Sequence, residues 1–124
     1  MGKVLVAEDD AKVRGVVRRA LYRLGHDVAD AEDGAEALRL LDAIRFDLVI
    51  TDVYMATMDG MELLVRIQQR GLPTPVLMIS GGGHMAREDV LAMGKSCGAV
   101  ATLEKPFTPE QLRAMVERLL KPSP

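Results

Sequence analysis

Short β-branched runs alternate with stretches whose apolar residues recur every three or four positions. Lys3 to Ala7 predicts a strand, its continuous apolar run Val4 to Ala7 having the pattern of a strand covered on both faces. Val13, Val16, Val17, Ala20, Leu21 and Leu24 mark one helical face, and Gly25 stands where a left-handed helix end is expected. Asp27 to Asp30 predicts a brief second strand, and Gly34 to Ala43 a helix with Ala37, Leu38 and Leu41 inward. Phe46 to Thr51 predicts the third strand. Asp59-Gly60 opens a helix through Arg70, with Leu63, Leu64 and Ile67 inward. Pro73-Thr74-Pro75 leads into a strand from Val76 to Ile79. Gly81-Gly82-Gly83 predicts a loop, followed by a helix from about Ala86 to Lys95. Val100 to Leu103 predicts the fifth strand. Thr108-Pro109-Glu110-Gln111 is a helix start: a hydroxyl cap, proline at the first position and glutamine three after the cap. Leu112, Met115, Val116 and Leu119 give that helix its inward face.

Five strand–helix units predict an α/β domain with a parallel sheet and helices on both faces. The expected architecture is a flavodoxin-like, doubly wound five-stranded sheet of order 2-1-3-4-5 with five helices. The whole of 1–124 reads as a single domain. In such a sheet ligands meet the carboxyl ends of strands 1 and 3.

That placement gives the charged residues their meaning. The first strand runs into Glu8-Asp9-Asp10, the third into Asp52, and the fifth past Glu104 into Lys105-Pro106. Carboxylates about 5 Å apart repel by roughly 3 kcal/mol at an effective dielectric near 20. Lys105 offsets only part of the charge on Glu8, Asp9 and Asp52, and a divalent cation would offset the rest. Oxygen ligands with room for water suit Mg²⁺ or Mn²⁺ better than zinc. A solvated acidic loop is the bland alternative for one such run, and Asp10 itself reads as a helix cap. Acid at two strand ends with lysine at a third favours a site.

Composition narrows the classes. The 124 residues are 48% hydrophobic and 27% charged, with a formal net charge of −2, so no global field points to nucleic acid or anionic membrane. Aromatic residues make up 3%, too few for base-stacking platforms. Cys97 is the one cysteine, which excludes an internal disulfide. The chain carries no signal-like apolar core or spanning stretch, and Val6 stands where myristoylation needs Ser or Thr. A cytoplasmic protein without membrane insertion is expected. The segment Lys121-Pro122-Ser123-Pro124 fits either a linker start or a chain end.

The segments VLVAEDD, DLVITDVYMATMDG, VLMIS and LEKPF together resemble the receiver domain of two-component response regulators. The resemblance covers nearly the whole chain, with its motifs in order at the expected strand ends. It implies that Asp52 is a phosphoacceptor, phosphorylated by a histidine kinase or histidine phosphotransfer protein in a Mg²⁺-dependent reaction. Asp9 would ligate the metal, Glu8 would act mainly through water, and the backbone carbonyl of Tyr54 would be a further ligand. Lys105 would pair with phosphoryl oxygens, Ser80 would hydrogen-bond one of them, and a cis bond before Pro106 would aim Lys105. The output would be altered binding of an unknown downstream protein, with no direct nucleic-acid contact. The basic positions Lys12, Arg14, Arg18, Arg19 and Arg23 read as a solvated face, or as the docking face that this helix commonly forms in receivers.

Four positions depart from the family pattern. Glu8 replaces the commoner Asp, and Ala56 stands where Pro is usual. Thr102 replaces an aromatic switch residue, and the stretch Gly81 to Gly98 is long. A mobile glycine loop is therefore expected to carry output. An aspartyl-nucleophile phosphatase or phosphotransferase is the alternative, but Tyr54 stands where such enzymes place a second Asp as general acid. A flavin carrier would bring phosphate against Glu8-Asp9-Asp10. Gly94-Lys95-Ser96 matches only the end of a P-loop, because Asp89 occupies the first glycine position. His26 and His84 lack metal-ligand spacing, and Cys97 reads as packing. Met55, Met58 and Met61 read as partial core filler beside Asp52.

Overall fold

The computed structural model describes residues 2–55, 57–81 and 100–120. Its strands are β1 (Lys3–Ala7), β2 (Asp27–Ala31), β3 (Leu48–Asp52), β4 (Val76–Gly81) and β5 (Val100–Lys105). Its helices among the described residues are α1 (Ala11–Arg23), α2 (Gly34–Ala43), α3 (Gly60–Gln69) and α4 (Pro109–Leu120). The strands form one sheet of order β2-β1-β3-β4-β5, and every adjacent pair is parallel. The expected topology is therefore present. The helix expected near Ala86 to Lys95, the departure at Ala56, His84, Cys97 and the Gly94-Lys95-Ser96 segment lie outside the described residues.

Side-chain alternation explains why the strands read as unbroken apolar runs. Leu5, Ala7, Val49, Val76 and Met78 pack toward α2 and α3, against Ala37, Leu38, Leu41, Leu63, Leu64 and Ile67. Val4, Val6, Leu48, Ile50, Leu77 and Ile79 pack the other way, against Val17 and Leu21 of α1 and Leu112 and Val116 of α4. Both faces of the central strands are covered, so both parities there are mostly apolar.

Local chemistry sets the helix ends. The Asp10 side chain accepts from the N–H groups of Lys12 and Val13, and Gly25 takes φ 89° after α1. Asp33 and Asp59 cap α2 and α3 through Glu36 N–H and Glu62 N–H, at 2.8 and 2.9 Å. Thr108 and Gln111 bond reciprocally at 2.9 and 3.1 Å, completing the box read from the sequence.

Three expectations shift. β3 begins at Leu48, because Phe46 is buried as an anchor ahead of the strand while Asp47 is exposed beside Lys3. β4 and β5 run on to Gly81 and Lys105, since Ser80 pairs Glu104 and Gly81 pairs Lys105. Val16, expected inward, is 52% exposed, and the inward row of α1 is Val13, Val17 and Leu21.

Candidate functional site

The register assembles the site. Ala7 pairs Thr51, Thr51 pairs Met78, and Met78 pairs Thr102 across the sheet. One residue further along lie Glu8, Asp52, Ile79 and Leu103, at the carboxyl edge. Glu8 and Asp52 continue the alternation of Val6 and Ile50, and Lys105 continues that of Leu103. By parity all three side chains belong to the sheet face covered by α1 and α4.

They meet there. Lys105 Nζ donates to Asp52 Oδ2 at 2.9 Å and to Glu8 Oε1 at 3.1 Å. Ligand oxygens of Glu8, Asp9 and Asp52 lie within 4.8 Å of one another. Glu8 is 3% exposed and Asp52 8%, whereas Asp9 is exposed. The second Glu8 oxygen accepts from Asp10 N–H at 3.3 Å, and Asp52 Oδ1 accepts from Tyr54 N–H at 3.4 Å. Tyr54 is 45% exposed.

Burial and the Asp52 charge push the Glu8 carboxyl up from 4.5 to about 7, although Asp10 N–H and Lys105 oppose the rise. For Lys105, burial favours the neutral amine, but its bonds to Asp52 and Glu8 outweigh burial and hold it above its ordinary value. One ammonium thus leaves the acidic cluster short of positive charge. Three convergent oxygen donors, two of them buried, fit a hard divalent cation.

Ser80 sits one residue past Ile79, the partner of Asp52, and Val53 N–H bonds the Ile79 carbonyl at 3.1 Å. By parity Ser80 follows Val76 and Met78, onto the face opposite that of Asp52. The Lys105–Pro106 bond is cis. The loop after Asp52 returns to α3 through Gly60 N–H to Val53 O at 2.8 Å, and it docks on α2 through Gly34 N–H to Met58 O at 3.1 Å. Met55, Met58 and Met61 are partly buried against the α2/α3-side core. His26 accepts the Gly2 N–H at 3.1 Å. Arg14, read from the sequence as part of a solvated or docking face, has a side chain only 16% exposed. Its spacing was the available signal: three before Val17 and seven before Leu21 is the inward side of α1.

A doubly wound sheet with buried carboxylates at the ends of central β1 and β3, bridged by a lysine from the edge strand β5, fits the class of phosphorylation-switched signalling receivers. Residues 4–117 match the family described as response regulator receiver domain, and the chain belongs to it. It is 32% identical over 121 residues to the alkaline phosphatase synthesis transcriptional regulatory protein PhoP of Bacillus subtilis, covering 98% of this chain and 49% of that protein. It is 35% identical over 122 residues to the transcriptional regulatory protein TcrA of Mycobacterium tuberculosis, covering 98% of this chain and 47% of that protein. The chain therefore spans about half the length of these curated relatives. Among solved structures, the chemotaxis protein CheY4 of Vibrio cholerae superposes with a TM-score of 0.85 at 35% identity, covering 97% of this chain and 99% of that one. The receiver domain of the Francisella response regulator 1452 also gives 0.85, at 32% identity and 97% coverage of both chains.

Proposed function

We propose that Asp52 accepts a phosphoryl group from a histidine kinase or histidine phosphotransfer protein, and that the modified site changes the binding of a downstream protein. The observation that carries this reading is the convergence of Glu8, Asp9 and Asp52 on one edge, with Lys105 bridging Glu8 and Asp52. A carboxylate oxygen of Asp52 attacks phosphorus, the P–N bond to the donor histidine breaks, and the electron pair leaves with the imidazole. Family membership supports the same reading.

Each residue has a distinct task. Lys105, now shared between two carboxylates, supplies positive charge to the phosphoryl oxygens. The Ser80 hydroxyl donates to one of those oxygens. Glu8, Asp9, Asp52 and the Tyr54 carbonyl would hold Mg²⁺ (or Mn²⁺). When bound, the metal would supply charge neutralisation for phosphoryl transfer. The exposed basic face of α1, with Arg18, Arg19, Arg23 and Tyr22, steers and docks the histidine-bearing partner.

The reading extends to the chain as a whole: one receiver domain over 1–124, acting as a signalling module rather than as a turnover enzyme. A cytoplasmic location follows from a histidine-kinase donor. No helix among the described residues is long and apolar enough to cross a membrane. Output through a protein contact is proposed here, without direct nucleic-acid contact. PhoP and TcrA are named transcriptional regulators, and about half of each lies beyond the matched region.

The test is phosphoryl incorporation from labelled acetyl phosphate with Mg²⁺. Wild type should take up label and Asp52→Asn should not. Label persisting in Asp52→Asn would sink the acceptor assignment. Sustained turnover of small phosphoesters would instead favour a phosphatase.

A further inference from the structure

The cation site needs Glu8 and Asp9 held in place, yet both lie beyond β1 and before α1. The Glu8 carbonyl therefore falls between two regular elements. Arg14 supplies its partner: Nη1 donates to Glu8 O at 2.7 Å. The same guanidinium faces Asp30 Oδ2 at 3.7 Å and Glu32 Oε1 at 4.0 Å, at the end of β2. Arg18 faces the same Asp30 oxygen at 4.0 Å. The Glu8 N–H bonds Ala31 O at 3.1 Å. Both backbone groups of Glu8 are thus tied to partners that lead to the β2 end. Its two carboxylate oxygens are tied to Asp10 N–H and Lys105.

A planar guanidinium suits this junction. It satisfies a carbonyl with one nitrogen while its other nitrogens face two carboxylates, a geometry that an ammonium cannot reproduce. We propose that Arg14 is a positioning residue for divalent-cation binding, fixing the Glu8–Asp9 turn so that its carboxylates converge with Asp52. The proposal rests on the reading of Glu8, Asp9 and Asp52 as the cation site. It makes a prediction opposite in sign to that of charge alone. Removing a cation near the site should tighten Mg²⁺ binding by electrostatics. Loss of positioning should weaken it, as loss of groups that orient metal ligands generally does.

The experiment is calorimetric titration of metal-free protein with MgCl₂, for wild type, Arg14→Gln and Arg14→Lys, with circular dichroism to establish folding. Arg14→Gln should bind Mg²⁺ roughly tenfold more weakly than wild type. Arg14→Lys keeps the charge but loses the fork, and should bind roughly threefold or more weakly. Unchanged or tighter binding by folded Arg14→Gln would overturn the proposal, leaving Arg14 a stabilising residue only. Should Arg14→Gln fail to fold, Arg14→Lys decides: wild-type affinity in that variant overturns the proposal equally. Wild type that fails to bind Mg²⁺ would overturn both this proposal and the site reading beneath it. Wild type that binds beside unaffected variants overturns the Arg14 proposal alone.

Discussion

Glu8→Gln isolates the electrostatic strain of the metal-free site. The folded state raises the Glu8 carboxyl from 4.5 to about 7, so the fold binds that proton more tightly than the unfolded chain does. The sign follows directly. Stability from this group is greatest below pH 4.5, falls as pH rises toward 7, and is level above. The full loss is at most about 3 kcal/mol, since each tenfold gain in proton affinity is worth about 1.4 kcal/mol. Glutamine mimics the protonated acid: it is uncharged, and its amide can donate toward Asp52 as a carboxylic O–H would. The variant should lie within about 1 kcal/mol of wild type near pH 5 and exceed it by up to about 3 kcal/mol at pH 8.

The assay is urea unfolding in chelator across pH 5 to 8, read as the difference between variant and wild type. That difference removes a competing slope. His26 is held below its ordinary 6.5, by burial and the nearby amino terminus, so it contributes stability that is lost as pH falls through its folded value. Both proteins carry that contribution. Lys105, held above 10.5, stays charged throughout the range. A variant-minus-wild-type difference that stays constant with pH would refute the reasoning. Excess Mg²⁺ should then stabilise wild type at pH 8, by about 2.7 kcal/mol at a hundredfold excess over Kd, and stabilise Glu8→Gln less.

Three further substitutions probe the frame of the site. Lys105→Met leaves Glu8 and Asp52 facing each other without their shared cation, and should cost about 2–3 kcal/mol at pH 8 in urea unfolding, partly recovered by Mg²⁺. Gly60→Ala would drive a Cβ into the Asp52 carbonyl oxygen and to within 3.1 Å of Val53 Cα; it should lose about 2–3 kcal/mol and impair labelling by acetyl phosphate. Thr57 is exposed and takes φ 70°, a costly conformation for a β-branched residue; Thr57→Gly should gain about 1 kcal/mol in thermal or urea unfolding.

The fold was legible because the central strands β1 and β3 are covered on both faces. Val4 to Ala7 and Leu48 to Ile50 must be apolar at either parity, and this gives continuous runs that a single sequence displays plainly. The caps Asp10 and Thr108 were legible for local reasons, since each bonds backbone two or three residues away. The site was legible because topology forces Glu8 and Asp52 into one row. What escaped depended on tertiary contacts. The spacing that makes Val16 look inward cannot show that the sheet covers the Val17 and Leu21 side. The role of Arg14 depends on Asp30 and Glu32, which reach it only after β2 pairs β1. Phe46 stands two residues before Leu48 and so looks like part of the strand, yet it anchors the approach to β3 rather than joining the ladder.

Parity also bears on how a signal leaves the site. Glu8, Asp52 and Lys105 belong to the face of α1 and α4, whereas Ser80 and Thr102 belong to the other face, since Ala101 and Leu103 pack with the α1/α4 core. Thr102 pairs Met78 and Glu104 pairs Ser80, so Ser80 and Thr102 are diagonal neighbours on adjacent strands. On the proposed reading, a phosphoryl group on Asp52, at the carboxyl edge between the faces, would set a charge on the first face that pulls a hydroxyl belonging to the second. The aromatic residue usual at position 102 would enlarge that pull through a bulky rotamer. A threonine there has a short, β-branched side chain with restricted χ1, and it cannot sweep a comparable distance. Among the described residues, displacement of Ser80 has a path along the backbone of β4 and the β4–β5 ladder, which holds Ser80 against Glu104 and Gly81 against Lys105. The pairing that delivers Lys105 to Asp52, the proposed acceptor, is thus the same pairing through which movement of Ser80 would reach β5.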